Sequence, residues 1–245
     1  FEKDHVREIR GDIFGEYYLG DACWPLDQVH LLAPCQPGKV VGIGKNYAPP
    51  ETAPEYSAFE KPKVPLLFIK PSTSVVGPED DILYPSGESR INYEGEVGVV
   101  IGKRCRQVAA ENYAEYVFGY TALNDITAKS AVEREVQWGR AKSMDTFCPT
   151  GPAIYTGGDV TRAEITTRVN GVAVQHGITS ELLFGIPELI EFISENMTLL
   201  PGDIIATGSP YRIGPLDIGD TVEVEVSNVG VLRNTVVAQN KEERT

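Results

Sequence analysis

Short runs in which apolar positions alternate with polar or small ones dominate the chain. On this period of two, residues 94–101, 165–169, 204–207, 221–226 and 231–237 read as strands, and 116–123 reads as a largely apolar one. Upstream, 39–44 reads as a buried strand entering a glycine-flanked turn, and 64–69 as an apolar run. Pro201-Gly202-Asp203 and Ile218-Gly219-Asp220 form turns that each introduce a strand, and Asn228-Val229-Gly230 joins two. Helical periodicity is confined to 109–116, 128–138 and 187–195, the last with Pro187 in its first turn. Many strands and few helices, without a βαβαβ rhythm, predict an α+β, mostly β fold of mixed sheet layers.

The pattern also divides the chain. Residues 1–36 read as a small strand-rich N-terminal accessory domain, punctuated by Gly11-Asp12, Gly15 and Gly20-Asp21 and followed by a linker at 33–38. Residues 37–245 then form the catalytic domain. Within it, 48–63 is a proline- and glutamate-rich connection, long for a structureless loop: either a lid or binding loop, or a disordered surface excursion.

Charge narrows the partners. With 35 acidic against 22 basic residues, the chain carries a formal net charge of −13. That surface repels phosphate backbones and anionic lipid, so neither nucleic acid nor a membrane is expected as partner. No apolar run approaches the roughly 20 residues that span a bilayer, and the first ten residues are charged rather than signal-like. The four cysteines are scattered without a CxxC pair, which fits reduced, packed thiols and a cytoplasmic protein. An anionic substrate would need a local positive charge.

The stretch Tyr93-Glu94-Gly95-Glu96-Val97-Gly98-Val99-Val100-Ile101 carries the chemistry. Alternation puts Glu94 and Glu96 on one face with Gly98 and Val100, and Gly95, Val97, Val99 and Ile101 on the other. Two neighbouring carboxylates on an apolar strand repel each other and lose hydration unless something neutralises them. Oxygen ligands select a hard cation such as Mg²⁺, Mn²⁺ or Ca²⁺; an edge strand with solvated glutamates would read the same way. Asp125, closing the strand 116–123 before a predicted helix, is either an N-cap or a third ligand.

The chain resembles the fumarylacetoacetate hydrolase family from Val40 to Val237. The resemblance is carried by Gly42-Ile43-Gly44-Lys45-Asn46-Tyr47, Phe68-Ile69-Lys70-Pro71, Tyr93-Glu94-Gly95-Glu96, Asn124-Asp125, Ala141-Lys142-Ser143 and Thr207-Gly208-Ser209-Pro210. It implies the family's mixed-sheet fold, a metal on Glu94, Glu96 and Asp125, and a 2-oxo acid chelated there and activated as an enolate. It places Lys142 as a catalytic and substrate-binding lysine, with Gln175, Thr207 and Lys129 as further substrate-binding positions and a homodimer as the expected assembly. Lys129 stands where the family usually has arginine, keeping charge without the bidentate fork.

One departure limits the chemistry. Where family members carry a lid histidine and, three residues on, a glutamate, this chain has Pro50 and Ala53. Isomerisation, tautomerisation or decarboxylation is therefore expected ahead of C–C hydrolysis, which must activate water. Glu51, Glu55, Glu60 and His176 are the substitutes available for proton transfer. The alternatives are an acylpyruvate-type hydrolase, a non-catalytic protein that binds metal and 2-oxo acids, and a calcium-stabilised structural β protein.

Overall fold

The computed structural model describes residues 4–239. Its centre is a seven-stranded mixed sheet ordered Leu66–Pro71, Lys39–Gly44, Ile204–Ala206, Gly95–Ile101, Val117–Asn124, Cys148–Tyr155 and Val75–Val76. A five-stranded sheet, ordered Val172–Ile178, Glu164–Val169, Thr221–Val226, Gly230–Ala238 and Asp81–Tyr84, packs over one of its faces. The expected α+β, mostly β architecture of mixed sheets is what the chain adopts.

Alternation decides which side chains fill the gap between the layers. Val97, Val99 and Ile101 point into a core shared with Ile165, Val224, Val226 and Leu232 of the second sheet. Leu189, Ile190 and Ile193 of the helix Ile186–Asn196 join it from the side. On the other face, Val100 meets Val40, Leu123 and Ile204 in a smaller core. Every residue of Gly95–Ile101 is therefore buried, as expected of a strand covered on both faces.

A third, three-stranded sheet positions the site. Its order, Thr127–Ala128, Ile91–Tyr93, Gly214–Leu216, continues three strands of the large sheet. Ile91–Tyr93 runs into Gly95–Ile101 through Glu94, Val117–Asn124 runs into Thr127–Ala128 through Asp125 and Ile126, and Ile204–Ala206 reaches Gly214–Leu216 through residues 207–213. Three neighbouring segments thus cross together between two sheets. The strand expected at 94–101 accordingly starts at Gly95.

The helices differ from expectation in two places. The periodic stretch 128–138 is helical over Lys129–Arg134 alone, because the chain turns extended at Glu135; a separate short helix, Gly139–Lys142, follows it. The stretch 109–116 forms a 3₁₀ helix, Ala110–Glu115. Near the N-terminus, His5–Gly11 and Tyr17–Pro25 pair as an antiparallel hairpin. Its turn residue Phe14 packs edge-on against Phe118 at 4.9 Å and reaches the smaller core. Among the described residues, no helix is long and apolar enough to cross a membrane.

Candidate active site at the sheet crossing

Glu94, Glu96 and Asp125 converge at the crossing, each offering a carboxylate oxygen within 4.8 Å of the others. The backbone fixes them mutually: Asp125 N–H donates to Glu94 O at 2.8 Å, and the Asn124 side-chain oxygen accepts from Glu94 N–H at 3.0 Å. Asp125 is no helix cap, since Thr127–Ala128 intervenes and the helix begins at Lys129. Gly95 keeps the two glutamates on one side by its smallness: a Cβ there would collide with Thr167. Its N–H instead donates to Gln175 Oε1 at 3.1 Å.

Two like charges within 4.8 Å of each other repel by at least roughly 3.5 kcal/mol at an effective dielectric near 20, so the ionised cluster calls for cations. Two lysines supply part of the need. Lys142 Nζ donates to Glu94 at 2.9 Å and also pairs with Asp125, while Lys70, fully buried, reaches Asp125 at 2.5 Å and Ile126 O at 3.2 Å. Burial alone would push the Asp125 carboxyl upward, but Lys142 and Lys70 outweigh it and hold the group below the usual carboxylate range. Burial lowers the Lys142 ammonium less than Asp125 and Glu94 raise it, so it stays protonated.

Glu96 receives less help. The Gly208 N–H at 2.8 Å is the hydrogen bond its carboxylate receives, and burial followed by repulsion from Asp125 and Glu94 outweighs the pull of Lys142 and pushes its pKa well up. Glu94 is also raised, by burial first and against the pull of Lys142. Three oxygen donors with one carboxylate left uncompensated fit a hard divalent cation. Such an ion would lie on Glu94, Glu96 and Asp125.

Above the cluster opens a cavity of about 1200 Å³. Glu94, Thr127 and Lys142 reach its floor, Phe68 and Trp138 form an aromatic wall, and the Lys142 ammonium stands 4.8 Å over the Phe68 ring. The segment 48–63 forms the roof and contributes Glu55, Phe59, Glu60 and Lys61. Two contacts hold it: Tyr211 OH donates to Glu55 at 2.8 Å, and Lys61 Nζ donates to Leu183 O at 2.8 Å while lying over the Phe184 ring. Of the two readings open for this segment, its place along the cavity fits the lid or binding loop better than a surface excursion.

The remaining anticipated positions fall in different places. Lys129 lines the cavity, with Glu133 4.0 Å away. Thr207 is buried and gives its hydroxyl to Val97 O at 3.0 Å; the neighbouring Gly208 N–H does bind a carboxylate, but that of Glu96. Gln175 is buried and spends its amide on Gly95, Ser209 and Pro210, tying the 209–210 turn to the five-stranded sheet. His176, next along the same strand, faces outward beside Thr166 and lines a separate cavity of about 560 Å³.

Two contributors were not singled out from the sequence. Lys70 shares a strand face with Phe68, a two-residue spacing that marks a lysine aimed inward with an aromatic. Glu88 accepts from Ser130 at 2.6 Å, Arg134 at 2.8 Å and Arg140 at 3.3 Å, so it fastens both helices that carry Lys129 and Lys142. No local pattern in the sequence marks it.

Known proteins share this fold. A family model described as the fumarylacetoacetate (FAA) hydrolase C-terminal domain matches residues 39–237, and another, Rv2993c-like N-terminal, matches residues 1–34. The 5-carboxymethyl-2-hydroxymuconate delta-isomerase from Mycobacterium smegmatis is 42% identical with a TM-score of 0.89, covering 96% of this chain and 90% of that one. Oxaloacetate tautomerase YisK of Bacillus subtilis is 40% identical over 233 residues, 89% of this chain and 76% of the relative. Maleylpyruvate hydrolase from Sphingobium sp. SYK-6, solved with manganese(II) ion and pyruvate, is 33% identical with a TM-score of 0.77, covering 91% of this chain and 78% of that one. These relatives are enzymes of isomerase, tautomerase and hydrolase type, and the chain belongs to the fumarylacetoacetate hydrolase family.

Proposed function

We propose that the protein is a divalent-cation-dependent tautomerase or isomerase of small 2-oxo acids. The observation that carries this reading is the Glu94–Glu96–Asp125 cluster lying beneath a cavity into which Lys142 brings a buried ammonium. A relative named as an oxaloacetate tautomerase, and a neighbour solved with manganese(II) and pyruvate, support the reaction class and the type of cofactor. Glu94, Glu96 and Asp125 would hold Mg²⁺ or Mn²⁺, which would supply Lewis-acid polarisation of a 2-oxo acid.

The chain's own groups do the rest. Lys142 holds its proton on Nζ and donates it toward the 2-oxo oxygen as negative charge builds there. Phe68 and Trp138 bound the side of the cavity and keep water from that lysine. The proton leaving the neighbouring carbon needs an acceptor on the roof. Glu55 is committed to Tyr211, whereas Glu60 lines the cavity without an ion pair among the described residues. Pro50 and Ala53 offer no side chain to activate water, which favours proton transfer over hydrolysis.

Protein loaded with Mg²⁺ or Mn²⁺ should interconvert the keto and enol forms of oxaloacetate, followed by enol absorbance. Cleavage of an acylpyruvate without tautomerase activity would assign it as a hydrolase instead. Binding of 2-oxo acids with no turnover of either would leave a binding protein.

A further inference from the structure

The chain is strongly acidic, yet the side chains around the main cavity are not. Lys45, Lys61, Lys63, Lys129, Lys142 and Arg212 line it, against the carboxylates of Glu55, Glu60 and Glu94. Positive charge is thus concentrated where a substrate enters. Half of these cations already have partners: Lys142 has Glu94 and Asp125, Lys61 has Leu183 O and the Phe184 ring, and Lys129 has Glu133 nearby.

Arg212 differs in how its backbone is held. It lies at φ +76°, in the left-handed region that L residues with long side chains seldom adopt. Of the non-glycine residues with positive φ, Lys45 and Arg212 line the main cavity, and Arg212 alone also lines the smaller one. The loop around it is fastened at several points. Gln175 donates to Ser209 and Pro210, Tyr211 donates to Glu55, and the Arg212 carbonyl accepts from Tyr93 OH at 3.1 Å. Among the described residues, the guanidinium itself meets no hydrogen-bond or ion-pair partner, while the backbone that aims it is fixed. An unpaired fork of N–H donors, exposed at the junction of the two cavities, is suited to a planar anion such as a carboxylate.

We infer that Arg212 is the specificity residue of this site, binding a second, distal carboxylate, so that 2-oxo dicarboxylates are preferred over 2-oxo monocarboxylates. This rests on the 2-oxo-acid reading of the carboxylate cluster. It assigns the two ends of the substrate to different parts of the chain: the 2-oxo acid end to the sheet crossing, the far end to the loop 209–213.

The test compares binding by calorimetry in saturating Mg²⁺. Oxaloacetate, 2-oxoglutarate and 2-oxoadipate are set against the monocarboxylates 2-oxobutyrate, 2-oxopentanoate and 2-oxohexanoate. Wild-type protein should bind one of the dicarboxylates about 10- to 100-fold tighter than its monocarboxylate counterpart, the range expected for a charge-assisted carboxylate contact. Arg212→Gly, which suits the positive φ, and Arg212→Gln should both abolish that preference and leave monocarboxylate affinity within about twofold, as expected when the lost contact is confined to the distal carboxylate. Arg212→Lys should restore part of it. Equal weakening of both ligand classes, or an undiminished preference in Arg212→Gly and Arg212→Gln, would overturn the assignment. Failure of wild-type protein to bind any 2-oxo acid would remove the parent reading and this inference with it, an outcome distinguishable from a loss confined to dicarboxylates.

Discussion

The floor and the roof of the main cavity are built on opposite principles. The floor carries Glu96 on a strand with neighbours on both sides and cores on both faces, with Glu94 and Asp125 at the crossing beside it, and every charge there has a buried partner or demands one. The roof, residues 48–63, is mostly exposed and rests on one tyrosine hydroxyl, one lysine and an aromatic face. Under the proposed function, the groups that would hold an ion sit where local opening is costly. Those that would admit and release substrate sit where it is cheap.

Four experiments probe that contrast, beginning with the largest effect. Glu96→Gln should abolish retention of Mg²⁺ or Mn²⁺ by calorimetry and, with it, turnover; a variant that keeps both would remove the cluster from the mechanism. Lys70→Met leaves Asp125 short of one of its two buried cations, so it should lower stability by about 3–5 kcal/mol in denaturant unfolding. A loss under about 1 kcal/mol would mean the floor is not held by paired charge.

Glu88 links floor to flank. Burial would raise its carboxyl, but the Ser130 hydroxyl and the Arg134 guanidinium outweigh that and hold it below the usual carboxylate range. A carboxyl depressed in the folded state stabilises the fold above its unfolded pKa and loses that contribution as pH falls through the folded value. Glu88→Gln should therefore cost about 1–2 kcal/mol at neutral pH, discounted because its arginine partners are half exposed. Its stability should converge with wild type in acid, and a gap that persists at low pH would rule out the ionic explanation.

The smallest change belongs to the roof. Tyr211→Phe removes the hydrogen bond to Glu55 and should alter stability by less than about 0.5 kcal/mol while raising KM several-fold. If it destabilises as much as Lys70→Met, floor and roof are one unit and the contrast fails.

How far the sequence reached follows the same divide. Alternation through Glu94, Glu96, Gly98 and Val100 was enough to place both glutamates on one face, because a strand's period survives any packing. Pairing with Asp125 was open to an N-cap reading, since the crossing between sheets that separates it from Lys129 is a long-range event. Lys70 and Glu88 act on partners 55 and 42 positions away, respectively. Contacts at that separation leave no local signature. Thr207 and Gln175, expected at substrate through resemblance, give their side-chain hydrogen bonds to backbone and to neighbouring side chains that shape the floor.

The two lysines leave the charge of the cluster unfinished. Ionised throughout, three carboxylates and two ammonium groups would sum to one negative charge and would repel a free 2-oxo monoanion. A divalent cation would reverse that sign, and the monoanion would then bring the total to neutrality. Under the proposed function cation and substrate would support each other, each tightening the other by the same factor. Oxalate should lower the apparent Kd for Mg²⁺, and Mg²⁺ should lower that for oxalate equally.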